Sequence, residues 1–316
     1  MQVIRGHREA PAWAGAVVAI GNFDGVHAGH RALIVEARRL AALQAAAGAA
    51  CQVVVLTFDP HPAAITGKGA PVALCSLARR LELLAEAGVD ATVIEPFTAG
   101  LAGLTADQFV DDILATGLRA RAVVVGYDFA YGAGRCGTLA TLRAAGLRAG
   151  FEVAVVPPVE IAGEVVSSTR VREYLRDGDV GAAARLLGRP FDTDGVVVHG
   201  AARGREIGIP TANVHPDTGT LPLAGGIYAV TLAVEGGAAL PAVASFGRNP
   251  TFVTAGPLVL EVHVLDFAGD LYDRRARVTV LAWQRPERAF DSVDALLVQI
   301  HQDIADARVL LAPPPP

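Results

Sequence analysis

Short apolar runs punctuate the first half of the chain, at Val17–Ile20, Val53–Thr57, Ala91–Ile94, Ala122–Gly126 and Glu152–Val156. Each predicts a strand, and helical patterns sit between them. Leu77, Leu81 and Leu84 recur at helical spacing before a stop at Gly88. Thr105 and Gln108 form a capping box ahead of Phe109 and Ile113, and Leu139–Ala149 ends at Gly150. This alternation predicts an α/β unit, a parallel sheet with helices on both faces. After about residue 190 the pattern changes. Strands are expected at Gly195–His199, Ile227–Val234, Ala242–Ser245, Leu258–Phe267 and Arg277–Trp283, separated by turns rich in Gly, Pro and Asp. That is an antiparallel β-barrel or sandwich. A terminal helix follows, capped by Asp291 or Ser292, with Val293, Leu296, Leu297, Ile300 and Ile304 as its apolar stripe. The boundary falls at Leu187-Gly188-Arg189-Pro190, giving domains 1–186 and 187–316, and the tail Pro313–Pro316 is expected to be disordered.

Composition agrees with two domains: 316 residues, 52% apolar and 19% charged. The net charge of −5 argues against a broad basic surface for nucleic acid. Lys68 is the only lysine, and no Ser or Thr follows it, so there is no P-loop and no basis for Schiff-base chemistry. Cys51, Cys75 and Cys136 are odd in number and widely spaced, which fits a reducing cytoplasm. Two stretches imitate export or membrane signals. Ala10–Ile20 contains the first strand of the five and runs into a structured motif. The uncharged Leu40–Phe58 reads as a helix end, a stop at Gly48 and the strand Gln52–Thr57. No membrane association is expected.

The strand Val17–Ile20 empties into Gly21-Asn22-Phe23-Asp24-Gly25-Val26-His27-Ala28-Gly29-His30, and a helix follows. The glycines let backbone approach a ligand, and the helix start offers free N–H groups to an anion. His27 and His30, three apart, face one point, suited to a triphosphate and to charge on a phosphoryl group in flight. The plain alternative is a glycine turn with two surface histidines. Val166-Ser167-Ser168-Thr169-Arg170-Val171-Arg172 opens another helix, either as a second phosphate-binding end or as an ordinary Ser cap with solvated arginines.

In the second half, a Gly-rich run from Gly200 leads through Gly208-Ile209-Pro210 to Thr211-Ala212-Asn213. Thr211 and Asn213 share a face, and their side-chain oxygens suit Mg²⁺ carrying ATP phosphates as well as they suit a polar turn. On Leu258–His263, Glu261 and His263 point the same way. Glu261 is a candidate general base, or a surface charge on an antiparallel sheet.

Together these motifs carry a resemblance. The pairing of His-x-Gly-His with Ser167–Arg172 resembles the two-signature layout of the nucleotidyltransferase superfamily. The lack of lysine sets the chain apart from the class I aminoacyl-tRNA synthetases in that superfamily. Gly21–His30, Thr57-Phe58-Asp59-Pro60-His61-Pro62, Gly126-Tyr127-Asp128-Phe129-Ala130-Tyr131-Gly132 and Ser167–Arg172 follow the order of prokaryotic FAD synthetase modules. Gly208–Asn213, Gly226-Ile227-Tyr228, Asn249-Pro250-Thr251-Phe252, Glu261-Val262-His263, Asp266-Phe267, Asp270-Leu271-Tyr272 and Arg285-Pro286-Glu287 look like riboflavin kinase. The resemblance implies a Rossmann-like nucleotidyltransferase domain followed by a riboflavin kinase barrel with a terminal helix. It implies that His27, His30, Gly21, Phe23, Asp24 and Gly25 handle ATP phosphates with Ser167, Ser168, Thr169 and Arg172. His61, Asp128, Phe129 and Arg285 would lie by flavin. Gly208, Pro210, Thr211 and Asn213 would bind ATP, with Thr211 and Asn213 on Mg²⁺ and Glu261 as base. Riboflavin, FMN and ATP are the implied partners of a monomer or weak homo-oligomer. Two departures stand out: Asp273 where the family commonly has Gly, and Gln284 in place of an apolar residue. The other readings kept open are adenylyl transfer to a different phosphate ester and a non-catalytic flavin-binding protein.

Overall fold

In the computed structural model the described residues are 1–67, 69–200, 204, 208–217, 219–220, 223–248 and 258–312. Lys68, most of the Gly-rich run after Gly200, Asn249-Pro250-Thr251-Phe252 and Pro313–Pro316 lie outside them. The chain divides into two compact units, Met1–Pro71 with Leu77–Val166, and Val72–Ser76 with Ser167–Pro316.

The first unit holds β1 (Gln2–Arg5), β2 (Ala16–Ile20), β3 (Gln52–Asp59), β4 (Ala91–Pro96), β5 (Ala120–Gly126) and β6 (Glu152–Val156). They form one parallel sheet in the order β1-β4-β3-β2-β5-β6. β2 is buried on both faces, which is why it reads as an unbroken apolar run. Ala16, Val18 and Ile20 join a cluster with Phe109, Ile113, Leu114 and Leu142. Val17 and Ala19 point the other way, toward the face covered by α1 (Ala28–Ala46), which buries Leu33, Ile34, Ala37 and Leu40. α2 (Leu77–Glu86) and α3 (Leu139–Ala149) form at the expected places. The Thr105–Gln108 capping box is present, with hydrogen bonds of 2.9 and 3.1 Å. The turns after it widen into a π-helix over Phe109–Gly117. β1 is absent from the sequence expectation because only Ile4 of its four residues is buried, so no apolar run marks it. A small hairpin, β7 (Glu160–Ile161) and β8 (Glu164–Val165), ends this unit.

The second unit begins with α4 (Ser168–Asp177) and α5 (Val180–Leu187). Six strands follow: β9 (Phe191–Val198), β10 (Ala212–Pro216), β11 (Gly226–Val234), β12 (Leu240–Arg248), β13 (Leu258–Val264) and β14 (Arg275–Arg285). They close as an antiparallel barrel in the order β10-β13-β12-β11-β14-β9. Of the two β architectures expected, the barrel is the one formed. Val214, Tyr228, Val230, Ala244, Phe246, Leu260 and Val262 are buried within it. The Tyr228 hydroxyl donates to the Ala224 carbonyl at 2.6 Å, and burial pushes its pKa up to about 12.

β10 was not among the expected strands, β12 and β14 are each longer than expected at both ends, and two further limits differ for visible reasons. β9 starts four residues early, because Asp192 and Asp194 are buried with charged partners, Arg189 at 3.2 Å and Arg277 at 2.6 Å. β13 ends at Val264, and the chain turns at Asp266 with φ 54°. The terminal helix α6 (Val293–Leu311) is capped by Ser292, which accepts from Ala295 N at 3.1 Å. Its buried stripe runs through Leu296, Leu297, Ile300 and Ile304 as expected, but begins after Val293 and continues to Ala307. Val293 is 57% exposed, whereas Ala307 is buried against Ala229, Val243 and Leu265, with Ile304 and Leu311 beside them.

Both departures from the family pattern lie in the barrel. Asp273 adopts φ 59°, a left-handed conformation natural to Gly and tolerated by Asp. Gln284 is the extra residue of a β-bulge, because Ile227 pairs with Arg285 while Tyr228 pairs with Trp283. Its amide nitrogen and oxygen are buried and find no hydrogen-bond partner among the described residues. Gln284→Leu is therefore expected to stabilise the protein by about 1 kcal/mol. Denaturant unfolding of the two proteins checks this, and a lower midpoint for the variant would contradict it.

Candidate functional site

In a parallel sheet every carboxyl end lies on one edge, and ligands gather where strand order reverses. Here the chain runs outward from β2 through β3 and β4, then returns to β5 on the other side of β2. The loops leaving β2, β3 and β5 are neighbours at this edge. They carry Gly21–His30, His61, and Asp128 with Phe129 respectively.

The β2 loop is tightly held. Gly21 N donates to Leu56 O at 3.1 Å, and Thr57 Oγ1 donates to Asn22 O at 3.1 Å. Phe23 and Val26 adopt φ 50° and 43°, around Gly25 at 77°. A β-branched residue at positive φ is a backbone outlier, of the kind that persists where surrounding structure enforces it. Phe23, Asp24, Gly25 and Val26 are all buried. The loop ends by delivering His27 as the N-cap of α1. His27 Nδ1 accepts from His30 N at 3.3 Å, which leaves the ring proton on Nε2 in the neutral tautomer. The two rings stack at 3.7 Å and 15°. Burial, then the neighbouring His27 and Arg80, hold the His30 pKa well below 6.5. His30 Nδ1 is enclosed without a hydrogen-bond partner among the described residues.

His61 ties the β3 loop to this one. Its Nδ1 accepts from Ala63 N at 3.1 Å, and its Nε2 lies 3.0 Å from Asn22 Nδ2. Its neighbours Pro60 and Pro62 make a rigid turn, and the ring also bridges two loops. Asp128 is exposed in a turn after β5 and caps no helix. Phe129 stacks on Tyr131 at 5.7 Å, and the buried Tyr131 places its hydroxyl 3.3 Å from Thr141 Oγ1.

In the second unit, Ser167 caps α4 by accepting from Arg170 N at 3.2 Å. Ser168 is half-buried and Thr169 is exposed. Arg172 is buried and donates from Nε to the Val72 carbonyl at 2.7 Å, whereas Arg170 pairs with Glu173 and Tyr174.

Barrel register assembles the remaining residues. Asn213 lies opposite Glu261, Glu261 opposite Ser245, Ser245 opposite Ile227, and Ile227 opposite Arg285. Paired residues share a face. The next row, Val214, Leu260, Phe246 and Gly226, is buried, so the Asn213 row faces outward. Thr211 sits just before β10, and His263 Nδ1 lies 2.8 Å from the Pro210 carbonyl. The Asn213 amide lies against Gly200, so a side chain there would have to displace it, and Gly208 takes φ 80°.

Sequence reasoning missed three residues here. Ser245 joins the row only through register. Glu287 hydrogen-bonds Ser245 and its carboxylate lies against Gly247, where a side chain would have to displace it. Burial raises the Glu287 carboxyl pKa, Glu261 adds to the rise, and Ser245 and Arg285 oppose it. Asp303 of α6 grips Arg285 at 2.6 and 2.8 Å. A Glu two residues after Arg285 was visible in the sequence, but nothing local marked Ser245 or Asp303.

The fold and these two residue sets define a two-domain nucleotide-dependent transferase, with a nucleotidyltransferase-like α/β unit and a kinase barrel. Comparison with known proteins makes the class particular. The FAD synthetase family matches residues 9–170, and the riboflavin kinase family matches 187–311. A bifunctional riboflavin kinase/FMN adenylyltransferase of Pseudomonas fluorescens is 42% identical over 99% of both chains. Its counterpart in Escherichia coli K12 is also 42% identical, over 98% of this chain and 97% of its own. The chain belongs to the bifunctional riboflavin kinase/FMN adenylyltransferase family. A crystal structure from Streptococcus pneumoniae, described as a macrolide-efflux protein, superposes with TM-score 0.88 at 32% identity, covering 98% of this chain and 99% of its own. Among the described residues no helix is long and apolar enough to cross a membrane.

The depressed His30 pKa has a consequence for stability. Above about pH 6.5 the histidine is neutral both folded and unfolded. As pH falls below that, the unfolded chain takes up the proton first, and stability is lost until the folded pKa is reached. His30→Gln is expected to flatten this loss, measured as the unfolding midpoint between pH 7 and about pH 5. An unchanged pH slope would contradict the buried, neutral state of His30.

Proposed function

We propose that Glu261 is the general base of riboflavin phosphorylation and that the His27–His30 pair is the core of the adenylyl-transfer site. The observation that carries the first assignment is the cross-strand pairing of Glu261 with Asn213 on the outer face of the barrel. Glu261 takes the proton of the riboflavin 5′-hydroxyl as that oxygen attacks the γ-phosphorus of ATP, and ADP leaves with the old bridging oxygen. Gly208 and Pro210 shape the approach to the nucleotide, and Arg285 contacts the flavin. A kinase of this type works by positioning and charge neutralisation.

Thr211 and Asn213 supply a hydroxyl and an amide oxygen, hard donors that suit Mg²⁺. Among the described residues no cluster of three or more His, Cys, Asp or Glu stands ready to cage a metal. When bound, Mg²⁺ would neutralise phosphate charge. The chain's own part is to hold the two oxygens beside the Glu261 row.

In the second reaction the FMN phosphate oxygen attacks the α-phosphorus of another ATP, forming FAD and releasing pyrophosphate. Gly21, Phe23, Asp24 and Gly25 shape the loop that brings backbone N–H groups to the triphosphate. His27 donates from Nε2–H, and His30 gains its charge only when an anion offsets the cost of burial. Ser167, Ser168, Thr169 and Arg172 form the second phosphate-binding motif. His61, Asp128 and Phe129 receive the flavin at the edge they share with the histidines. The functional division is 1–186 for adenylyl transfer and 187–316 for the kinase, in a cytoplasmic monomer or weak homo-oligomer that binds neither nucleic acid nor membrane.

Incubation with riboflavin, ATP and Mg²⁺, followed by chromatography of the flavins, tests the assignments. His30→Ala should accumulate FMN and lose FAD formation by about 100-fold or more. Glu261→Ala should block riboflavin turnover by about 100-fold or more while FAD still forms from added FMN. Loss of both activities in either folded variant would refute the division of labour.

A further inference from the structure

Arg285 ends β14 in the outward row that carries Asn213, Glu261 and Ser245, yet its guanidinium is fixed from outside the barrel strands. Nε donates to Asp303 Oδ1 at 2.8 Å and Nη2 to Asp303 Oδ2 at 2.6 Å, a bidentate fork. Nη1 donates to the Pro286 carbonyl at 3.0 Å. A guanidinium has five N–H bonds, so these contacts leave one on Nη1 and one on Nη2. Asp303 is only 3% exposed, and Gln299 Nε2 donates to its Oδ1 at 2.8 Å. Gln299 also bonds Arg288 through its amide oxygen, so one helix face holds both Arg285 at the end of β14 and Arg288 just after it.

Stability alone gives no reason for this charge. Asp303 occupies the buried face of α6, four residues before Ala307, where the helix otherwise meets Ala229, Val243 and Leu265. A buried ion pair is on average no better for stability than apolar residues of similar volume, because both charges lose water. What the pair does provide is a guanidinium held at one orientation, with two donors left for a ligand on the row of the proposed base.

We propose that Asp303 is a positioning residue of the kinase site: by clamping Arg285 it aims the two remaining N–H donors at acceptor atoms of the flavin. The flavin ring presents carbonyl oxygens and ring nitrogens along one edge, acceptors of the kind a fixed pair of donors selects. The inference rests on the reading of Arg285 as a flavin contact, and it adds that substrate affinity depends on how α6 docks. α6 thereby becomes part of the binding apparatus without itself touching substrate.

The test is a double-mutant cycle on the full chain with Arg285→Ala, Asp303→Asn and the double variant. It reads KM for riboflavin and kcat for FMN formation, with FAD formation from supplied FMN as the internal control. Asp303→Asn is expected to raise KM about tenfold with kcat changed less than about threefold, and to add nothing in the Arg285→Ala background. If Arg285→Ala leaves KM unchanged, the flavin role of Arg285 fails, and this inference with it. If Arg285→Ala raises KM while Asp303→Asn does not, or if the two effects add, the flavin role stands and only the positioning role is overturned. Gln299→Leu covers the case in which Asp303→Asn does not fold, because it keeps the ion pair and removes one hydrogen bond from Asp303. It is expected to raise KM about threefold. A KM equal to that of the parent protein would overturn the proposal.

Discussion

A slip of one residue between β10 and β13 would turn Asn213 and Glu261 into the barrel and put Val214 and Leu260 out in water. Strand register is therefore the constraint on which the second unit's chemistry depends. The apolar row fixes the register, because Val214, Leu260 and Phe246 must meet inside, and the polar row follows from it. Closure of the barrel carries the constraint round all six strands, so that Arg285 on β14 is set by the same pairing that sets Glu261 on β13. The first unit uses the parallel version of this rule. β2, β3 and β5 are held in parallel by strands buried on both faces, and their loops have to emerge side by side.

Uncommitted positive charge is sparing in this chain. With a single lysine in the chain, fixed cations must be arginines, and many of these are already committed. Arg277 grips Asp194, Arg275 grips Asp217, Arg285 grips Asp303, and Arg172 is buried on a carbonyl. The His27–His30 stack follows the same economy. Two rings at 3.7 Å cannot both carry charge cheaply in a desolvated loop, and burial, with His27 and Arg80 beside it, holds the His30 pKa well below its ordinary value.

What was legible in the sequence follows from where apolar patterning is strong. β2 through β5 of the sheet announced themselves because their central residues are buried on both faces and mostly apolar, and the edge strand β6 was marked by its run of Val and Ala. β1 did not, since an edge strand with one buried side chain carries no pattern. The first half of β9 was hidden by buried aspartates whose partners, Arg189 and Arg277, neutralise them only in three dimensions. Asp303, buried beside the apolar stripe of α6, was likewise hidden because its partner Arg285 is distant in sequence. The loops ending in His27, His61 and Asp128 were legible as motifs, because their chemistry is local. Ser245 and Glu287 were not, because nothing within a few residues of either identifies the other as its neighbour.

The places where local rules are broken are themselves grouped. Phe23 and Val26 hold left-handed backbone in the loop that delivers the histidines. At the end of β14, a bulge, an unpartnered Gln284 amide and a buried Arg285–Asp303 pair follow one another within two residues of sequence. Each costs stability that a better-behaved residue would have kept. An ordinary strand end would continue the ladder to its last residue. The extra residue instead shifts the register between Tyr228 and Ile227, and it is that shift which sets Arg285 opposite Ile227 in the row of Ser245 and Glu261. The bulge and the row are thus one feature: the irregularity at Gln284 is what brings the end of β14 into the row of Ser245 and Glu261.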